Sequence, residues 1–163
     1  MNIIELLLKE IEGEANITRK MLAIVPQDKY DWKPHPKSMS IKQLVTHIAE
    51  LPGWITLAVT TDELDFAKNE YKPEDINDNA ALMELFERSY ADGRKHLVET
   101  TEAILAEPWV LRNGDAIFLQ QTKYDTVRVS VAQTIHHRAQ LGVFLRLLDI
   151  PIPGSYGPSA DEM

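Results

Sequence analysis

The sequence predicts an all-α protein, a four-helix bundle that carries one small β-hairpin. Three observations lead there. Four long stretches repeat apolar residues at helical spacing, prolines and an Asn-Gly pair punctuate the chain between them, and the composition is globular. With 163 residues, 44% hydrophobic and 26% charged, the chain is long enough to bury a core and is read as a single domain over 1–163.

The first helix is predicted from about Asn2 to about Val25. Ile4, Leu7, Leu8, Ile11, Ala15, Thr18 and Leu22 fall on one stripe, and Pro26 ends it because proline cannot continue the hydrogen-bond ladder. Residues 26–39, rich in Pro and polar groups, read as a loop. Ser40 and Gln43 have the spacing of a capping box and open the second helix, whose stripe is Ile41, Leu44, Val45, Ile48 and Leu51. Pro52 lacks an N–H and should kink or end it, with Trp54 to Thr60 continuing beyond. The acidic stretch 61–78 reads as loop. Asn77, Asp78 or Asn79 can cap a third helix reaching about Ala106. Asn113-Gly114 between short apolar runs is a hairpin signal, placing two strands near 109–118 with little other strand. The fourth helix runs from about Tyr124 to about Asp149, capped by Thr122 or Asp125 and stopped by Pro151. Four amphipathic segments of this length pack most simply as a bundle.

Charge and composition exclude several functions. Seventeen basic against 25 acidic residues give a net charge of −8, and no basic run is present. This argues against nucleic acid and against anionic membranes as partners. The absence of cysteine removes disulfides, thiolate nucleophiles and Cys-ligated zinc. The start of the chain lacks the basic, then apolar, pattern of a signal peptide, and no stretch approaches the roughly 20 apolar residues of a membrane span. A cytoplasmic protein is the expectation.

The chemistry-bearing residues are histidines, sorted by helix geometry. His47 follows Leu44 by three residues and precedes Leu51 by four, which turns it inward on the second helix. His137 stands in the same relation to Thr134 and Leu141 on the fourth, with Gln133 one turn before it. His136 is rotated from His137 by about 100° and should face a neighbour or solvent. Imidazoles from different helices can converge in a bundle core, where zinc, nickel, copper and iron all suit them. Gln133 can supply an amide oxygen, and Glu50, three residues after His47, a further ligand or a supporting hydrogen bond. On spacing alone, a core histidine remains the commoner explanation for each ring.

The segments Ser40-Ile41-Lys42-Gln43-Leu44-Val45-Thr46-His47 and Ile135-His136-His137-Arg138-Ala139-Gln140-Leu141, with the ending from Leu147 to Asp161, together resemble the DinB (damage-inducible, YfiT-like) family. The resemblance implies a four-helix bundle, often a homodimer, in which three histidines bind a divalent metal, zinc or nickel above all. His47 and His137 match two of them. The third position holds Gln133, an amide in place of an imidazole. The resemblance further implies a metal-dependent enzyme of the thiol-dependent S-transferase or hydrolase type acting on a small molecule. Any low-molecular-weight thiol must come from outside, since the chain has no cysteine. Gln133 equally motivates the alternative of a non-catalytic, ligand-binding or stress-associated homodimer with a degenerate metal site. No residue stands out as a general base.

Overall fold

The computed structural model describes residues 1–163. Helix α1 spans Ile3–Ala23, α2 Ile41–Glu50, α3 Gly53–Thr60, α4 Asn79–Glu99, α5 Glu102–Leu105 and α6 Lys123–Leu147. Strands β1 (Glu63–Asp65), β2 (Pro108–Asn113) and β3 (Ala116–Thr122) form one small sheet in that order.

Local chemistry sets the helix starts. Asn2, Ser40 and Thr122 each accept from the backbone N–H three residues on, and Glu5, Gln43 and Asp125 return the bond, so three helices open on complete capping boxes. Asp78 caps α4 through the N–H of Ala81 at 2.7 Å. The predicted third helix is broken near its end. Thr100 is extended and Thr101 caps the short α5 through the N–H of Ile104.

At the α2–α3 joint, Pro52 withholds the donor that the carbonyl of Ile48 would need, and the chain kinks. The Ser130 hydroxyl of α6 donates to the carbonyl of Leu51 at 2.7 Å. Gly93 brings the α4 backbone against this joint. A Cβ there would stand 2.3 Å from the Pro52 carbonyl oxygen, so no side chain fits.

The bundle consists of α1, the kinked α2–α3, α4 and α6. Each packs on two neighbours, with α1 against α4 and α6, and α2–α3 against the same pair. The core has two centres. One gathers Leu22, Ile41, Leu44, Ile48, Phe86 and Leu141. The other gathers Leu7, Ile11, Ile55, Leu97, Val127 and Val131. Following the chain between these centres gives the helix directions. α1 and α6 run from the second centre to the first, while α2–α3 and α4 run from the first to the second.

This topology forces one long crossing. α3 ends at the second centre and α4 begins at the first, so residues 61–78 must return along the bundle, a distance of about 30 Å for a helix of this length. The crossing is not wholly irregular, as the sequence suggested. Its start forms β1, which pairs in parallel with β2, Leu64 opposite Leu111. A three-residue strand carries too short a pattern to show in sequence, and its partner lies far along the chain. The hairpin is present but longer than predicted, Pro108–Asn113 pairing antiparallel with Ala116–Thr122. Gly114 takes a left-handed φ of +58° at its turn. Buried Asp65 closes the turn by accepting from the N–H of Gly114 at 2.9 Å and of Ala67 at 3.0 Å.

Candidate functional site

His47 on α2 and His137 on α6 meet where the crossing segment passes over the bundle. Their ring centroids are 4.8 Å apart at an interplanar angle of 76°. Both are half-buried. Inward helical spacing placed them on facing stripes, and the α2–α6 packing brings the stripes together.

The two imidazoles are held differently. The Nδ1 of His137 lies 2.8 Å from the side-chain oxygen of Gln140. An amide oxygen only accepts, so Nδ1 is the donor in this bond. The His47 ring makes no hydrogen bond. Burial, reinforced by the neighbouring His137, lowers its pKa below the ordinary imidazole value, which favours the neutral ring. His47 is therefore biased toward the form that can offer a nitrogen lone pair. His136 is exposed, and its ring packs edge-on against His137 at 4.9 Å, in keeping with its predicted rotation away from the shared face.

Gln133 and Glu50 are placed otherwise. Gln133 is exposed, one turn before His137, and makes no hydrogen bond. Glu50 turns both carboxylate oxygens toward the crossing segment. Oε2 accepts from the Tyr71 hydroxyl at 2.5 Å and Oε1 from the N–H of Glu74 at 3.1 Å. Burial and this bond to a carboxylate raise the Tyr71 pKa well above its ordinary value. No group of three or more His, Cys, Asp or Glu side chains comes together to hold a metal ion. By chemistry, the two imidazoles suit two positions on a divalent ion through nitrogen.

His47 opens onto a cleft of about 480 Å³ walled by Trp54 and Leu57 of α3 and by Leu64, Phe66 and Tyr71 of the crossing segment. A smaller recess of about 260 Å³ beside Met39, Gln43 and Pro73 shares His47 and Tyr71 with it. Sequence reasoning missed Gln140, Trp54 and Tyr71. Gln140 was findable, since it follows His137 by three residues on the same helix. Trp54 reads as core in an apolar helix, and nothing in the sequence joins Tyr71 to Glu50.

The architecture is a kinked helical bundle with a histidine pair between two helices and a cleft beside His47. The family model that matches covers residues 1–163, and the chain belongs to the DinB family. It is similar in structure to the DinB-like protein YjoA of Bacillus subtilis, with a TM-score of 0.71 at 19% identity over 91% of this chain and 96% of that one. It is also similar to YfiT of Bacillus subtilis, described as a probable metal-dependent hydrolase with an unusual four-helix bundle topology. That likeness has a TM-score of 0.67 at 14% identity over 91% of this chain and 89% of that one. A third likeness is to a mycothiol-dependent maleylpyruvate isomerase, with a TM-score of 0.59 at 16% identity over 86% of this chain and 61% of that one. Comparison with curated proteins gives no match. No helix is long and apolar enough to cross a membrane.

Proposed function

We propose that this DinB-family protein is a metal-dependent enzyme acting on a small molecule by hydrolysis or thiol transfer, with His47 and His137 as its imidazole ligands. The observation that carries the reading is the ring pair itself, contributed by two helices and 4.8 Å apart beside an open cleft. Gln140 fixes the tautomer of His137 and aims its free nitrogen, the usual arrangement behind a ligating histidine. Burial keeps His47 neutral, the form that can donate a lone pair. Gln133, exposed and free of other side-chain hydrogen bonds, would have to turn its amide toward the remaining position to complete the set. A divalent ion held there would supply a lowered pKa to a water or a thiol. Any such thiol is a small cosubstrate, since the chain has no cysteine. Homodimerisation belongs to the same proposal, with exposed Val143 and Leu147 on α6 as apolar surface for it.

The exposed amide at position 133 favours a second reading, a ligand-binding protein whose metal site has lost an imidazole. Elemental analysis of untagged protein separates the two. The enzyme reading expects a stoichiometric divalent ion in the unmodified chain, lost in His137→Ala and held more tightly in Gln133→His. Metal in Gln133→His alone would sink it and leave the binding protein.

A further inference from the structure

Most other polar clusters and voids are accounted for by the fold. The enclosed space at the bundle centre, about 20 Å³, holds no more than a water. Buried Lys123 is paired with Asp62 at 2.8 Å and Glu107 at 2.9 Å. Thr56, Asp92 and His96 bracket α3 to α4 on the surface. The cleft beside His47 has no such structural explanation.

We propose that this cleft binds a small molecule with a flat, apolar body, and that Glu50 contributes at one remove by holding Tyr71 in place as the cleft wall. The inference rests on the reading of His47 as the reacting end of the site. The volume, about 480 Å³, lies within the roughly 300–1,000 Å³ usual for small-ligand sites. Trp54, Phe66 and Tyr71 present aromatic rings to it, with Leu57 and Leu64 between them. These side chains are all at least partly exposed, so the fold leaves apolar area in water that a flat ligand would cover. The Trp54 indole N–H has no hydrogen-bond partner and offers one donor for orientation. Glu70 and Lys72 both line the cleft and pair at 3.2 Å, so its charged lining is balanced, which suits a neutral ligand.

Tyr71 would not stay in place unaided. It is 54% exposed and lies in the crossing segment. Glu50 fixes that segment at Tyr71 and Glu74, while Arg88 pairs with Glu74 at 2.6 Å and Lys42 with Asp75 at 2.5 Å. The ring of Tyr71 borders both the cleft and the smaller recess, and both reach His47. Its loss would merge them into one open trough.

The test uses β-naphthol as a neutral flat probe and follows the indole N–H signals of the three tryptophans in proton–nitrogen correlation spectra. Trp54 should shift saturably while Trp32 and Trp109 stay, and the same should hold in excess chelator. Tyr71→Ala and Glu50→Ala should weaken the probe by about tenfold or more, as loss of an aromatic wall does. Glu50→Gln, which keeps an acceptor, should stay within about threefold of the parent, while Tyr71→Phe, which keeps the ring but loses its bond to Glu50, should fall between the parent and Tyr71→Ala. Leu57→Trp, which fills the cleft, should abolish the shift. No saturable shift at Trp54, equal shifts at all three indoles, or full binding by Leu57→Trp would overturn the inference. Equal weakening by Glu50→Gln and Glu50→Ala would overturn the role of Glu50. A probe bound without retained metal would leave the cleft standing and remove the metal reading. Retained metal with no shift at Trp54 would do the reverse.

Discussion

Adjacent residues of α6 stand in opposite surroundings. Arg138 is 2% exposed and both terminal nitrogens of its guanidinium are engaged. It donates to Thr18 Oγ1 at 2.9 Å, to the Glu14 carboxylate at 2.7 Å, to the Tyr156 hydroxyl at 2.8 Å and to the Glu14 carbonyl at 3.3 Å. Tyr156 in turn donates to Glu14. His137 is half-buried and makes one hydrogen bond, to Gln140. A buried charge needs such partners, and both terminal nitrogens of Arg138 are committed to the fold. His137 packs on His47, which borders the cleft. The contrast separates a polar group that holds the fold from one free for chemistry. It also settles the tail, in which Tyr156 and Asp161 pack on α1 and α6 rather than over the cleft.

The comparison breaks most sharply at Arg138. Arg138→Ala leaves Glu14 without its partner and should cost about 3–5 kcal/mol in urea unfolding. A loss below about 1 kcal/mol would mean that the network contributes no more than a surface pair. Gly93→Ala comes next. Its methyl must displace the Pro52 carbonyl at the joint behind His47, for about 1–3 kcal/mol. It should also weaken metal retention, which intact retention in a destabilised variant would refute. His137→Ala should change stability by only about 0.5 kcal/mol, as at other partly exposed sites, while removing any bound metal. A stability loss approaching that of Arg138→Ala would make the histidine structural.

Acid gives the smallest effect. The Arg146 guanidinium, with the N–H of Ile152, holds the Asp161 pKa down to about 2 from an ordinary 3.8. Its folded value lies below its unfolded one, so the tail's contribution is whole above pH 3.8 and is lost as pH falls toward 2. His47, also lowered, contributes fully above the ordinary imidazole value of 6.5 and loses that contribution as pH drops below it. In chelator-treated protein, stability against pH should therefore fall in two separate windows. Arg146→Ala should shrink the lower one without removing it, since Asp65, Glu87 and Glu162 are also held below their ordinary values.

The helices were legible because their signals are local. Ser40 with Gln43 and Thr122 with Asp125 cap their own helices, and Pro52 breaks a ladder within its own turn. His47 and His137 were legible as inward residues for the same reason, since a period of 3.6 residues fixes the face a side chain takes. β1 was not, because three residues carry too little pattern and the partner strand is distant in sequence. Nor was the engagement of Glu50, which three-residue spacing aligned with His47 but which the crossing segment claims through Tyr71 and Glu74.

By itself, the sequence determined the four amphipathic helices, their caps, the Asn-Gly hairpin and the histidines that face inward. Each follows from interactions within a turn or two of chain. Tertiary structure alone decided that His47 and His137 touch, that Gln133 remains in water, and that a cleft lies beside them. The physical reason is helix direction. α2–α3 and α4 are neighbours running the same way, so residues 61–78 must travel back along the bundle, and that return lays Tyr71 and Phe66 across the face that carries His47.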